Sequence, residues 1–335
     1  MRQALFIPLG FYDYDIQIVE EIKKNGFEVD TFNPIGTYTF WEKVRNTIEK
    51  GRFLKEKAKK MQASYFMANE KNYDLILVIV GRHLEPNIFR EFCMKNEGAR
   101  KVLYLWDDVK RVENFNEIEG CFDDIFSFDQ IDVREYGFQM LPLFFTDYHR
   151  YRGEEKKYRF GLMGMLHSER LSLFDQVARA HNLREEDCFV YLLGAKFRHF
   201  LTWFLPMRKR WTGRKYIHVN GMPFKSCADI LKQTKVALDV QFGSQNGLTL
   251  RTLEALAANT KLITTNQNVM QYDFYNPNNI CVIKRDAPNV PEGFFEKEYE
   301  LVSTDIVERY SLSNWVKIIL KEEPGSGVKD ESKNI

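Results

Sequence analysis

No two cysteines are spaced C-x-x-C, and the five present (Cys93, Cys121, Cys188, Cys227 and Cys281) are odd in number and far apart. The pattern therefore supplies neither a zinc ribbon nor a redox motif nor a disulfide framework, and it predicts reduced thiols in a cytoplasmic chain. Excess charge of either sign is missing too. Lys and Arg number 48 against 47 Asp and Glu, so no global positive field recruits nucleic acid. Long hydrophobic runs are also absent. The longest, such as 75–80, fall far short of the ~20 apolar residues that span a bilayer. The opening MRQALFIPLGFYDYD breaks at Gly10 and lacks the cleavage site of a secretory signal.

What is there suits two folded domains. A length of 335 residues allows two cores, and 14% aromatic residues supply bulk to fill them and rings on which a ligand can stack. Apolar runs at 4–7, 27–32, 73–81, 101–106, 124–128 and 138–143 read as strands. Helical patterns at 16–24, 40–69, 85–95 and 131–136 lie between them. A near-continuous run such as YDLILVIVG fits a parallel strand covered on both faces. The polar stretch 146–159 reads as a linker. Beyond it come strands at 158–163, 188–193, 236–240 and 261–265, with helices at 171–180, 227–233, 250–258 and 311–321. The expected architecture is α/β, with two Rossmann-like doubly wound domains facing a central cleft at their strand carboxyl ends. Residues 1–150 would form the first domain, 151–322 the second and 323–335 a disordered tail.

The most informative segment is 236–266, VALDVQFGSQNGLTLRTLEALAANTKLITTN, which reads as strand, glycine-containing loop, helix and strand. A helix beginning near Leu248 to Leu250 would aim its first N–H groups at the loop, where an anion such as a diphosphate can bind. Arg251 lies in that first turn, where the helix dipole disfavours a cation unless it meets negative charge. Glu254 follows on the same face. The two residues form either a phosphate and ribose clamp or a solvated i,i+3 pair. In the same way Ser168 can cap a helix beginning near Glu169 after the tight turn at Gly164. Arg170 is then either a phosphate ligand or a surface arginine.

The loop, the helix Leu253-Glu254-Ala255-Leu256-Ala257 and the strand Leu262-Ile263-Thr264-Thr265 together resemble the donor-binding motif of GT-B glycosyltransferases. The segment Phe160 to Arg170 resembles the opening of the second domain in CgeB-like, bacterial polysaccharide-biosynthesis glycosyltransferases. The resemblance implies transfer of a sugar from a nucleotide-diphosphate sugar to a glycan or lipid-linked acceptor in surface polysaccharide synthesis. It implies no cofactor and no metal. Glu254 would hold the ribose, Arg251 and Arg170 the diphosphate, and Gly164, Ser168, Gly243, Gly247, Leu248 and Thr249 would complete the donor site. Where many retaining members carry a second glutamate, this chain has Asn246, which points to inversion or a divergent branch.

Inversion requires a base for the acceptor hydroxyl. His83 in VGRHLEP and Asp107 and Asp108 in YLWDDVKR follow apolar strands and are the candidates, with Asp13 and Asp15 weaker ones. Each also has a purely structural reading, as a loop cap or a satisfied histidine. The stretch 196–215 carries seven Lys or Arg, no acid and two of the five tryptophans. It suits either peripheral contact with an anionic membrane or a packing helix with a basic face. Two rivals remain at this point, a nucleotide-sugar epimerase of the same architecture and a noncatalytic nucleotide- or sugar-binding protein.

Overall fold

A computed structural model describes residues 1–10, 13–36, 39–49, 52–166, 169–194, 214–241 and 246–321. The expectations for Ser168, Gly243, the tail 323–335 and nearly all of 196–215 lie outside these residues. The chain divides into two units, Met1–Leu141 rejoined by the segment from Val316, and Pro142–Trp315.

Unit 1 is built on strands β1 (Arg2–Ile7), β2 (Phe27–Thr31), β3 (Leu75–Ile79), β4 (Arg100–Leu105), β5 (Asp124–Ser127) and β6 (Gln139–Met140). All pair in parallel in the order β2-β1-β3-β4-β5-β6. Every residue of β3, LILVI, is buried, as a central strand covered on both faces demands. The helices are α1 (Tyr14–Lys24), α2 (Phe40–Ile48), α3 (Arg52–Ala68), α4 (Pro86–Lys95), α5 (Phe115–Ile118) and α6 (Gln130–Tyr136). The helical pattern 40–69 is thus two helices. A capping box between Thr39 and Glu42 starts α2, and Glu49 closes it by donating its N–H to Arg45 O. The strand expected at 138–143 shrinks to β6, a two-residue edge.

Unit 2 repeats the scheme with β7 (Tyr158–Met165), β8 (Cys188–Leu193), β9 (Ile217–His218), β10 (Thr234–Asp239), β11 (Lys261–Thr264) and β12 (Ile280–Val282). The order is β12-β11-β10-β7-β8-β9, again parallel. Its helices are α7 (Arg170–Ala180), α8 (Phe224–Lys232), α9 (Leu250–Ala257), α10 (Thr304–Arg309) and the first turn of α11 (Leu312–Leu320), whose remainder counts with unit 1. Phe160 stacks on Phe174 with ring centres 4.2 Å apart and meets Phe295 edge-on, joining β7 to α7 in the core. The segment read as a linker is partly core, since Thr146 and His149 are each 1% exposed. Among the described residues no helix is long and apolar enough to cross a membrane.

In each sheet the chain order reverses once, between β1 and β3 in unit 1 and between β7 and β10 in unit 2. At such switch points the loops leave in opposite directions and open a crevice at the strand carboxyl ends, the usual ligand position in doubly wound sheets.

Candidate functional site

At the switch point of unit 2, Gly164 near the end of β7 has φ +154°, and an added Cβ would lie 2.6 Å from Nη1 of Arg170. Glycine lets the guanidinium lie against the strand. Arg170, the first residue of α7, donates from Nε and Nη2 to Val240 O (3.0 and 2.8 Å) and from Nη1 to Met165 O (3.0 Å). It therefore stitches the ends of β7 and β10 together, which differs from the surface arginine of one sequence reading. Helix α7 starts at Arg170, between the two starts the sequence suggests, with Glu169 as its cap position and no side-chain cap. Arg285 pairs with Glu169 and donates to Gln241 O at 2.5 Å, bringing a second guanidinium to the same strand ends.

Asp239 closes β10 and is 3% exposed. Burial raises its carboxyl above the usual range, against the pull of Arg170, Thr249 and Arg251. The Thr249 hydroxyl donates to Asp239 Oδ2 at 2.6 Å, so it does not cap α9, whose first turn has no side-chain cap. A first turn of this kind suits an anion. Leu248 is 2% exposed and anchors the loop in the core, so only its backbone can face a ligand. Asn266 Nδ2 donates to Gly247 O (3.0 Å) and Asn246 O (3.3 Å), and Asn268 Nδ2 to Asn246 O (2.9 Å). These amides pin the approach to α9.

Glu254 is 4% exposed, which rules out the solvated-pair reading. Its Oε2 lies 2.9 Å from Arg251 Nη1, and its Oε1 lies 3.4 Å from His149 Nε2. Burial holds His149 below the ordinary histidine value, partly opposed by Glu254 and reinforced by Arg251. The neutral ring faces Thr146 Oγ1 through Nδ1 at 3.1 Å. The ensemble is an acceptor carboxylate backed by a neutral imidazole and paired with the Arg251 guanidinium, with Arg170 and Arg285 at the strand ends, a set that can take hydroxyls at one end and a polyanion at the other.

Sequence reasoning missed His149, Asp239, Asn266 and Arg285. Asp239 and Asn266 had a signal, since each is a polar residue at the end of an apolar strand run. His149 was concealed in a polar stretch, and nothing local marked Arg285.

The corresponding edge of unit 1 carries His83, Asp107 and Asp108. After β3 the buried Val80 has φ 65° and Gly81 φ 73°, and Gly81 N donates to Ile79 O at 2.8 Å. This γ-type turn at a β-branched residue is strained, and it sets the direction of Arg82 and His83. Arg82 pairs with Asp107, while Arg111 lies 3.7 Å from Asp107 Oδ1 and 3.2 Å from Asp108 Oδ2. Asp108 Oδ1 is buried without a hydrogen-bond partner, and Asp108 makes no side-chain cap. The aspartates are thus ion-paired, which corrects their reading as loop caps. His83 is exposed; partial desolvation and then the Arg82 charge hold its imidazole below the ordinary value. Asp15 Oδ2 accepts from Gly10 N at 3.1 Å and closes the loop after β1. Asp13 is exposed at the start of α1 and makes no side-chain cap.

No protein-family model matches the chain, and no curated protein matches it in sequence. Solved structures do match in fold. Anabaena HepE in complex with UDP and glucose is 10% identical with a TM-score of 0.63, over 96% of this chain and 99% of that one. A glycosyltransferase from Rickettsia africae is 12% identical with a TM-score of 0.53, over 96% and 97%. The N-terminal domain of Candida albicans trehalose-6-phosphate phosphatase is 11% identical with a TM-score of 0.54, over 96% and 97%. At these identities the likeness concerns the fold, and the chain has the α/β, GT-B-like fold of two parallel six-stranded units.

Proposed function

We propose that the protein is a glycosyltransferase that takes its sugar from a nucleotide-diphosphate sugar bound at the switch point of unit 2. The observation that carries this reading is the buried Glu254 carboxylate, paired with Arg251 in the first turn of α9, beyond a loop fastened by Asn266. A carboxylate with its own cation beside it accepts two vicinal hydroxyls, as a ribose offers, while that cation and the helix terminus receive the diphosphate. The HepE structure, solved with UDP and glucose, supports the same class of donor.

In this reading Arg251 and Arg285 neutralise the leaving diphosphate without a metal. Arg170, lying against Gly164, fixes the strand ends and adds positive potential, and Gly247, Leu248 and Thr249 shape the loop before α9. Unit 1 supplies the base, for which His83 is the best of the three candidates. Its imidazole is neutral at pH 7 and accessible, whereas Asp107 and Asp108 are held by Arg82 and Arg111. The acceptor is a glycan or a lipid-linked sugar of surface polysaccharide synthesis. The basic, aromatic stretch 196–215 would place a cytoplasmic enzyme at an anionic membrane.

Thermal shift with UDP, GDP, TDP and CMP tests the donor site, because a ligand of the folded state raises the melting temperature by mass action. One nucleoside diphosphate is expected to stabilise the protein. Glu254→Gln should weaken that binding by roughly 10- to 100-fold, the worth of charge-assisted hydrogen bonds of about 1.5–3 kcal/mol. His83→Ala should abolish turnover and leave nucleotide binding intact. No response to any nucleotide would overturn the reading.

A further inference from the structure

Two cysteines that lie far apart in sequence meet at the amino-terminal edge of the unit 1 sheet, opposite the edge that carries His83 and Asp107. Cys93 lies on α4 and is 6% exposed. Cys121 ends the short 3-10 turn Glu119–Cys121 after α5 and is partly exposed. The two thiols perturb one another electrostatically. Both line a surface groove of about 430 Å³ together with Arg90 and Lys101. Arg90 is fixed at the rim by its Nη2 donating to Glu117 O at 2.9 Å.

We propose that Cys93 and Cys121 form an oxidisable dithiol whose substrate is a hydroperoxide, with Cys121 as the attacking sulfur and Cys93 as the resolving one. The arrangement meets three requirements of that chemistry: a thiolate stabilised by cations, access from solvent, and a second thiol in the same groove. The neighbouring Cys93 thiol, then Arg90 and Lys101, hold the Cys121 thiol below its ordinary value against desolvation. The neighbouring Cys121 thiol and burial push Cys93 up, so it stays protonated. Cys188 and Cys281 are pushed up to about 11 by burial and do not compete.

In the first step the Cys121 sulfur attacks a peroxide oxygen. An S–O bond forms, the O–O bond breaks, and the other oxygen leaves as water or an alcohol after taking a proton. Cys93 then attacks the sulfenic sulfur. The S–S bond forms, the S–O bond breaks, and hydroxide leaves with the Cys93 proton as water. Two thiols lose two electrons and the peroxide gains them. The disulfide would tie α4, which follows the His83 loop, to the turn that follows the Asp107 loop. The chain would then hold its two candidate base-bearing loops in a covalent frame under oxidising conditions.

The test uses the reduced full-length protein treated with hydrogen peroxide, then blocked and digested for mass spectrometry. The expected product is a linked peptide joining Cys93 to Cys121, lighter by two hydrogens and released by dithiothreitol. Cys93→Ser should instead yield a sulfenic acid at Cys121 that dimedone traps, and Cys121→Ser should yield neither product. Iodoacetamide labelling of the wild type across pH 6 to 9, read peptide by peptide, requires no variant to fold. Cys121 should label with a midpoint below the ordinary thiol value of about 8.5, ahead of the other four cysteines. Absence of the linked peptide overturns the proposal, as does labelling of Cys121 no faster than Cys188.

Discussion

At the residue scale the central fact is that Glu254 faces a histidine that stays neutral. Burial depresses the folded pKa of His149 below its unfolded value near 6.5. For a base shifted downward, the unfolded chain binds more protons than the folded one once the pH falls through the unfolded value. Stability is therefore fully present above about pH 6.5 and is lost as the pH drops below it, with a slope of up to about 1.4 kcal/mol per pH unit. His149→Gln keeps an amide able to donate to Glu254 but removes the proton. Urea unfolding at pH 8 and pH 5 should show the wild type losing more stability between the two than the variant. Equal losses would mean that other groups govern the acid limb. The same neutrality matters to the site, because an imidazolium beside Glu254 would compete with ribose hydroxyls for its oxygens.

At the element scale the loop before α9 depends on the segment after β11 to hold it. Asn266 is 2% exposed and supports two loop carbonyls, whereas the half-buried Asn268 supports one. Asn266→Ala removes a buried amide that donates to two loop carbonyls, at a cost of about 2 kcal/mol, and Asn268→Ala costs about 1 kcal/mol or less. Scanning calorimetry should rank the two melting temperatures accordingly, and nucleotide affinity should fall in the same order; the reverse order would place the anchor at Asn268. This dependence also explains what was legible in the sequence. Strands such as β3 and β10 stand out as apolar runs because both of their faces are covered. Arg251, Glu254 and Thr249 are legible because one short helix start carries them all. β6, β9 and β12 are edge strands of two or three residues with little pattern to detect. The break between α2 and α3 comes from caps rather than from a change in apolar period. His149 and Arg285 reach the site from segments separated in sequence, so only the fold brings them there.

At the scale of the whole molecule the last helix belongs to both units, because Trp315 counts with unit 2 and the chain from Val316 with unit 1. Val316 and Ile319 are fully buried. Arg100 donates to the Ile319 carbonyl, and Lys321 lies 3.1 Å from Asp124, which also takes Arg100 Nε at 2.8 Å. Ending the chain after Trp315 would strip two buried side chains from unit 1, each contributing about 1.5–3 kcal/mol, and would expose the ends of β4 and β5. In unit 2, Trp315 would still meet Phe144 at 5.1 Å. Hydrogen exchange should therefore accelerate at the amides of β4 and β5 and stay unchanged at those of β10 and β11, since regions of one chain open with separate free energies. Ending the chain after Lys321 is the control and should leave both patterns intact. Acceleration spread equally over the two sheets would mean that the units unfold as one body. Acceleration confined to unit 1 would show that the segment from Val316 acts as a clasp for the sheet that carries His83 and Asp107.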